Sequence, residues 1–403
     1  MTEGIEFRQI TADEFPEMAR GMSRAIGFSP PSDDFFAVAT KHYHPDRSVG
    51  GFDGGQLVGA TYSHRYELTL PGGTLLVAGG VTNVFVASTH RRRGILNVLM
   101  RTQLEDLRER GEPVAILVAS ESVIYGRYGY GACEDLIEVE IDPRRGMLTH
   151  LPSTPGRVVG VDEETADKIF PDVYDRWRRG QPGAIIRDDA NWEHWKRGRK
   201  VADESLLVYE NASGEADGYA RYKLQMRWEA GLPDHTARVS DFVACTEEAR
   251  AGLYRTILGV DLATTVAIGN VAVDDPIRWW LADPRQMKVK RFGDFLWLRP
   301  LNIEVLLGSR SYSADDRLVL GVTDAMFPDG AGAYAVSPDG CTRTDADPDI
   351  ELDVGQLGAT SLGGRSFLEL GRAGRVGERT PGALRRADAM FAWSPRPWGN
   401  TYF

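Results

Sequence analysis

An arginine cluster beside a glycine is the feature of this chain best suited to binding an anion. Residues 91–93 are all arginine, and Gly94 follows them directly. Beyond Gly94, apolar side chains recur at helical spacing and predict a helix from about residue 94 to residue 110 with one buried face. The first turn of a helix has free N–H groups and the positive end of the dipole, and a glycine lets the backbone approach an anion closely. Several guanidinium groups at one place suit a pyrophosphate better than a single phosphate.

Apolar runs on both sides of this helix predict a βαβ unit. Val84, Phe85 and Val86 form a β-favouring run before it, and residues 113–119 form a second run after it. Two strands joined through a helix are expected to be parallel and adjacent, with their ends on the same side of the sheet as the helix N-terminus. Tyr125, shortly after the second strand, is therefore expected near a ligand held at the arginines. The alternative for the arginines alone is a solvated surface turn.

Two motifs carry a resemblance to a known family. The segment from Arg91 to Leu96 has the form Arg-x-x-Gly-x-Leu, which resembles the Arg/Gln-x-x-Gly-x-Gly/Ala signature of GNAT acetyltransferases, with Leu as a departure at the sixth position. The run THRRRGIL, followed by ASESVIYGRYGYG, resembles the enhanced intracellular survival (Eis) branch of those enzymes. The resemblance continues more thinly at residues 174–187 and 237–246. It implies an N-acetyltransferase that uses acetyl-CoA and no metal.

The resemblance also implies which residues contact the coenzyme. The backbone of the first strand would pair with the pantetheine arm and polarise the thioester carbonyl, the arginine turn would hold the pyrophosphate, and the end of the second strand would border the coenzyme. These residues are Val84, Phe85, Val86, Arg91, Arg92, Arg93, Gly94, Ile95, Leu96, Asn97, Ser120 and Glu121.

Tyr125 is the general acid that the resemblance implies. A phenol with a pKa of about 10 is a suitable proton donor to a departing coenzyme thiolate at neutral pH. The alternative is an aromatic core residue, although Tyr128 and Tyr130 are better placed to pack around the neighbouring glycines.

Length and composition set the broad class. A chain of 403 residues is expected to form roughly two or three domains, and 42% hydrophobic with 26% charged residues is typical of a globular protein. No apolar stretch or leader predicts a membrane span or signal peptide, and three widely spaced cysteines indicate reduced thiols, so we expect a cytoplasmic protein. The net charge of −11 argues against a nucleic-acid partner and is compatible with a cationic amine.

The element pattern predicts an α/β (α+β) chain of three domains. Residues 1–146 alternate helical and strand patterns, with a capping box at residues 11–14 and a hairpin around residues 71–73. Residues 147–300 repeat that style without an arginine turn. Residues 301–403 read as a smaller α+β unit. By resemblance, these are a catalytic GNAT domain, a non-catalytic GNAT-like mixed-sheet domain and a sterol-carrier-protein-like domain.

The chain ends in an aromatic segment. The last eleven residues include Trp393, Trp398, Tyr402 and Phe403, whereas flexible tails are usually polar. We therefore expect the tail to dock. The resemblance implies that the terminal carboxylate of Phe403 returns to the active site as general base; the alternative is a tail that only packs the domains together.

The resemblance leaves the acceptor amine open among several classes. A small-molecule primary amine (aminoglycoside-like, polyamine or another bulky amine) or a lysine side chain fits the resemblance. The region expected to bind it carries aromatic residues where related enzymes with aminoglycoside activity carry acids, and the two nearby aspartates are candidates to replace them. The predicted pocket residues are Phe28, Asp33, Asp34, Phe35, Phe36 and Tyr402.

Two other functions stay open at this point. One is a catalytically inactive acyl-CoA-binding or scaffold protein, and the other is a lipid carrier acting through the last domain, since fold alone does not determine function. The resemblance further implies a homohexamer built as a trimer of dimers.

Overall fold

The computed structural model describes residues 2–198 and 204–403. The first strands are β1 (Ile5–Arg8), β2 (Ser48–Asp53), β3 (Gln56–Thr69), β4 (Leu75–Val86), β5 (Val114–Val118) and β6 (Gly131–Ala132). The middle strands are β7 (Asp135–Ile141), β8 (Arg157–Val161), β9 (Glu204–Glu210), β10 (Ala216–Gln225), β11 (Trp228–Glu229), β12 (Leu232–Pro233), β13 (His235–Ala244), β14 (Ala263–Val271), β15 (Met287–Asp294) and β16 (Leu296–Pro300). The last strands are β17 (Leu318–Thr323), β18 (Gly332–Ser337), β19 (Gly340–Thr344), β20 (Ile350–Asp353) and β21 (Val376–Glu378).

Helices alternate with these strands. They are α1 (Phe15–Ile26), α2 (Asp33–Ala39), α3 (Ile95–Glu109), α4 (Ser122–Tyr125), α5 (Glu163–Arg178), α6 (Asp189–Gly198), α7 (Glu247–Leu258), α8 (Ile277–Trp280), α9 (Ile303–Ser309), α10 (Val354–Thr360), α11 (Phe367–Arg372) and α12 (Ala383–Phe391). Within the described residues, no helix is both long and apolar enough to cross a bilayer.

The described residues form three large sheets and a separate two-stranded sheet made of β11 and β12. Among the described residues, the first and second sheets have seven strands each, in the orders β1-β2-β3-β4-β5-β16-β6 and β15-β7-β14-β13-β10-β9-β8. The third has five, in the order β19-β18-β17-β20-β21. Both seven-stranded sheets are mixed, because β4 pairs in parallel with β5, and β13 with β14, while the other pairs are antiparallel. The predicted fold class is confirmed.

The βαβ unit forms as the sequence predicts. Helix α3 lies within one residue of its predicted limits, and its Leu99, Met100, Leu104 and Leu107 are fully buried. The predicted hairpin joins β3 to β4, with Thr69 opposite Leu75. The predicted capping box closes a short 3-10 turn that precedes α1. The spacing of apolar residues in the sequence therefore predicts those helices and strands that bury a continuous apolar face.

Two strands lie in a different sheet from their neighbours in sequence. We call residues 1–146, 147–300 and 301–403 the first, second and C-terminal regions. Strand β7 belongs to the second sheet although it follows β6 of the first, and β16 returns from the second region to pair with β5 and β6. The first two regions are thus connected by exchanged strands. The predicted limits at residues 146 and 300 stay predictions.

A buried arginine on β16 connects the first sheet to the C-terminal region. Arg299 is fully buried; its Nε donates to the Tyr128 carbonyl at 2.9 Å, and its Nη2 pairs with Asp324 Oδ2 at 2.6 Å. The Asp324 carboxylate also accepts the backbone N–H groups of Met326 and Phe327. The Arg299 contacts hold the turn after Tyr125 against the C-terminal region.

We expect Arg299→Met to destabilise the protein strongly, because it leaves the buried Asp324 carboxylate without its counter-charge. Breaking such a pair costs about 3 kcal/mol or more. Thermal denaturation followed by circular dichroism measures the effect. The control Arg379→Met removes an exposed ion pair with Glu351 and should leave the midpoint almost unchanged. Equal midpoints for both variants would contradict this role of Arg299.

Candidate active site

A cleft opens where β4 and β5 separate. The two strands pair only at Ala78–Val114, Gly79–Ala115 and Gly80–Ile116, although both continue further. Asn83, on the separating part of β4, has a positive φ of 53° and lies at an irregularity in the pairing with β3. The cavity at this opening has a volume of about 790 Å³. Backbone groups of β4 that would otherwise pair with β5 are thereby left to face a ligand.

The N-terminus of α3 forms one wall of this cleft. The amides of Asn97 and Val98 bond to the Gly94 carbonyl, so those of Ile95 and Leu96 belong to the first turn and have no intrahelical acceptor. No side chain within the described residues caps this helix at Gly94, whose φ of 84° is left-handed. An anion could be bound by these amides, as predicted from the sequence.

The three arginines are divided between two roles. Arg91 and Arg92 are exposed and line the cleft, whereas Arg93 lies outside its walls and pairs with Asp53 at 3.5 Å. The His90 ring also contacts Asp53, at 3.0 Å, and these two partners lower the pKa of the Asp53 carboxyl. Asp53 therefore ties the arginine turn to the end of β2.

The cleft brings together every other predicted coenzyme residue. Its walls include Val84, Phe85, Val86, Arg91, Arg92, Gly94, Ile95, Leu96, Asn97, Ser120 and Glu121.

Tyr125 lies in the same cleft. Its side chain is buried, and this burial, together with the nearby Glu121 carboxylate, raises its pKa to about 12. The phenol is therefore protonated at neutral pH. Tyr128 also lines the cleft and donates to Asn97 Oδ1 at 2.7 Å, whereas Tyr130 packs against Tyr125 from the interior, with ring centroids 6.1 Å apart.

A second cavity, which we call the aromatic pocket, lies next to the cleft along β4. It has a volume of about 640 Å³ and includes Thr82 and Asn83, immediately before the β4 residues that line the cleft. Its other walls come from α1, α2, β3, the second region and the last residues of the chain. The aromatic residues that line it are Phe15, Phe28, Phe35, Tyr43, Tyr62, Tyr66, Trp195, Tyr402 and Phe403.

Three of the six predicted acceptor residues line this pocket, and the other three do not. Phe28, Phe35 and Tyr402 line it. Phe36 lies outside the walls and packs behind Phe35, with ring centroids 5.5 Å apart. Asp33 and Asp34 also lie outside, exposed in the first turn of α2. No acid from this helix therefore reaches the pocket.

The C-terminal tail docks against the second region. Trp398 is buried against Trp177, and its indole N–H donates to Asn270 Oδ1 at 2.8 Å. The Gly399 amide donates to Glu134 Oε1 at 2.6 Å, and Thr401 shares a hydrogen bond with Tyr174 at 2.9 Å. These contacts fix the direction of the chain just before its end.

The terminal residue reaches the first sheet. The Phe403 ring packs edge-on against Tyr66 of β3, with centroids 5.2 Å apart. A β-carbon on Gly80 would come within 2.5 Å of the Tyr66 ring and 3.2 Å of the Phe403 ring, so a glycine at this point of β4 leaves the space that both rings occupy. The expected docking of the tail is confirmed, and its end lines the aromatic pocket.

A buried ion pair in the pocket wall was not predicted from the sequence. Arg187 Nη1 donates to Asp241 Oδ2 at 2.7 Å, and Arg187 Nη2 also binds the Asn400 carbonyl at 3.2 Å. Both side chains are almost fully buried. Each residue lies in one of the two segments, 174–187 and 237–246, to which the resemblance extends. Because those segments are far apart in sequence, no local pattern could have paired them.

Comparisons with known proteins agree with this geometry. Residues 6–133 and 183–300 each match a family model described as an acetyltransferase (GNAT) domain, and residues 303–400 match a sterol carrier protein domain. The chain is 37% identical to an uncharacterized N-acetyltransferase of Streptomyces avermitilis over 98% of each chain. It is 34% identical to N-acetyltransferase Eis of Mycobacterium tuberculosis over 85% of each chain. The crystal structure of Eis1 from Mycobacterium abscessus superposes with a TM-score of 0.89 at 32% identity, covering 99% of this chain and 100% of that one.

Proposed function

Since this chain belongs to the Eis family of GNAT N-acetyltransferases, we propose that it transfers the acetyl group of acetyl-CoA to a primary amine by direct attack on the thioester. The acceptor is a small-molecule amine or a lysine side chain. One observation carries the proposal: a single cleft joins an uncapped helix N-terminus, a strand edge without a partner strand and a buried, protonated phenol.

The cleft residues fit the coenzyme part by part. The first-turn amides of α3 and the guanidinium groups of Arg91 and Arg92 would bind the diphosphate. The edge of β4 at residues 84–86 would pair with the pantetheine amides, and Ser120 and Glu121 would border the same arm. Arg93 is a positioning residue in this account, because it acts through Asp53 on the turn. Acetyl-CoA, when bound, supplies the activated acetyl group.

Two groups of this chain, one proton donor and one proton acceptor, carry out the proton transfers of the reaction. A bond forms between the amine nitrogen and the acetyl carbon, and the carbon–sulfur bond breaks. Tyr125 gives its phenolic proton to the departing sulfur. The terminal carboxylate of Phe403 accepts the proton that the amine nitrogen loses, directly or through a water, and that proton is returned to Tyr125 through solvent. The products are an acetamide and the coenzyme thiol.

The terminal carboxylate is proposed to act as a base on an amine, and a raised pKa would favour that role. Its unperturbed pKa is about 3.5, which is low for a group that must deprotonate an amine. Burial disfavours the charged form and raises such a pKa. Phe403 lies between Tyr66 and the second region, at the end of a tail held by side-chain and backbone hydrogen bonds. The hydrogen-bonded tail would therefore position the base, and no separate loop would be needed for it.

The other two regions support this site in our proposal. Residues 1–146 would be the catalytic domain and residues 147–300 a second GNAT-like domain without catalysis, whose role is to anchor the tail. Residues 301–403 form the sterol-carrier-like unit. Apolar side chains of that unit, such as Leu320 and Phe391, share one buried cluster with Tyr66 and Leu68 of the first sheet. This shared core favours a packing role over the lipid-carrier alternative.

We further propose that the chain is cytoplasmic and assembles as the hexamer expected from the resemblance. Exposed apolar side chains support an assembly. Trp228 and Leu232 lie on the β11–β12 hairpin, Met226 lies just before it, and Val289 and Phe292 lie on the edge strand β15. Light scattering should therefore give a mass near six times the 44.5 kDa of one chain. The mass of a monomer or dimer would contradict the hexamer and leave the chemistry untouched.

Tyr125→Phe should lower kcat by about 10²-fold or more, with little change in the affinity for acetyl-CoA, because only the proton donor is lost. Thiol release measures kcat, and calorimetry measures coenzyme binding. Because the pKa of Tyr125 is about 12, the phenol keeps its proton at pH values well below 12. Its ionisation should therefore cause no loss of rate in that range.

The matched control is Tyr130→Phe. Its hydroxyl is buried without a hydrogen-bond partner among the described residues, so its removal should leave turnover unchanged. Wild-type rates for Tyr125→Phe, or equal losses for both variants, would reject Tyr125 as the acid.

Converting the terminal carboxylate of Phe403 to an amide tests the base. The amide keeps the aromatic ring and its packing on Tyr66 but cannot accept a proton, so kcat should fall by about 10²-fold or more. Protein ligation can prepare the amide, and the same ligation with a free carboxylate is the control. Unchanged turnover of the amide would limit the tail to packing the regions together.

A further inference from the structure

The aromatic pocket has an unusual charge inventory for a site that receives a cationic amine. Asp241 is the only acidic side chain in its wall within the described residues, whereas two arginines, Arg187 and Arg221, also line it. Any amine that enters as an ammonium must find its counter-charge within this small set.

Asp241 is fully engaged by the protein itself. Its Oδ2 accepts from Arg187 at 2.7 Å and from the Tyr219 hydroxyl at 3.1 Å. Its Oδ1 accepts from Asn400 Nδ2 at 2.9 Å and from the Phe242 amide at 3.1 Å. A substrate ammonium would have to displace one of these donors, so Asp241 is a structural group of the pocket and not a free anion.

Among the residues that line the pocket, the remaining charges leave one anion for the substrate. The Asp188 carboxylate lies outside this lining; it accepts the Asn191 amide at 2.8 Å, and its charge acts on the rings of Tyr62, His64 and Tyr66. Arg221 pairs with Glu204, and the side chain of Arg187 pairs with Asp241. His64 adds no charge, because burial lowers its pKa to about 4. The anion that is left is the α-carboxylate of Phe403, which can balance a single ammonium.

Aromatic rings form the rest of the surface. Tyr62, His64 and Tyr66 alternate along β3 and contact one another edge-on or tilted, with centroids 4.9 and 5.4 Å apart, and Phe403 continues the row. Phe35 faces the pocket from α2, and Phe28 stands at its rim with 71% of its surface exposed. Rings of this kind bind a flat apolar body and an adjacent cation, and they offer no counter-charge to further ammonium groups.

We infer that the aromatic pocket selects amines that carry one ammonium group on an aromatic or apolar body, and discriminates against polycations such as aminoglycosides and polyamines. The inference rests on the proposed function for the chemistry, and on the contacts of Asp241, Arg187 and the β3 rings for the selection. Each additional ammonium would lose its water without gaining a partner, whereas an aromatic body gains contact with the β3 row.

Thiol release with four amines tests the selection. The amines are 2-phenylethylamine, butylamine as a monoamine without a ring, spermidine and kanamycin. We expect kcat/KM for 2-phenylethylamine to exceed that for spermidine and kanamycin by roughly tenfold or more, with butylamine between them. Equal or higher kcat/KM for either polycation would overturn the inference and leave the acetyltransferase proposal intact.

Calorimetry separates the inference from the chemistry on which it rests. Each amine is titrated into the full chain saturated with coenzyme A, where no turnover occurs. Tighter binding of 2-phenylethylamine than of spermidine supports the selection even if no amine releases thiol, and in that case the proposed function fails alone. Tighter binding of spermidine contradicts the selection whatever the turnover.

A negative charge placed at the rim should weaken the preference. Phe28→Glu adds an acid at an exposed position of the pocket and removes a ring, so the ratio of kcat/KM for 2-phenylethylamine over spermidine should fall by roughly tenfold. Met147→Glu makes the same charge change at an exposed position outside both cavities and should leave the ratio unchanged. Equal ratios for Phe28→Glu and the wild type would contradict the assignment of the pocket as the acceptor site.

Discussion

The separation of β4 from β5 is the constraint on which the rest of the site depends. Pairing ends at Gly80 and Ile116, although both strands continue, and the left-handed residue at Asn83 marks the change in β4. Had the ladder continued, β5 would occupy the edge that a ligand needs, and α3 would cover a closed sheet. Because it ends, the edge of β4, the N-terminus of α3 and Tyr125 face one cavity.

The second region contributes to the site through the tail. Trp177, Tyr174 and Asn270 hold residues 398–401, and the last residue then crosses to Tyr66 of the first sheet. Strands β7 and β16, which are exchanged between the first two sheets, fix the orientation of these regions. In the proposed mechanism, the terminal carboxylate needs this rigidity, because a free terminus is usually mobile. That mechanism would therefore require the three regions together, although the cleft itself lies in the first.

The local sequence pattern predicts many of the helices, strands and turns. It predicts few of the contacts between residues that are far apart in sequence. The limits of α3, the hairpin before β4 and the parallel β4–β5 pair follow from apolar spacing and turn residues, which depend on neighbours in sequence. Arg93 was grouped with Arg91 and Arg92 because the three are adjacent, but its direction depends on Asp53, which belongs to another strand. Asp33 and Asp34 were candidates for the pocket because they are acids near its aromatic residues. They lie in the exposed first turn of α2 instead, where the helix dipole favours carboxylates.

A crystal structure of the full chain with coenzyme A tests the central claim most directly. The account predicts electron density for the diphosphate at the amides of Gly94, Ile95 and Leu96, with Arg91 and Arg92 beside it and the sulfur directed towards Tyr125. A coenzyme bound elsewhere, or a diphosphate that does not contact the first turn of α3, would contradict it.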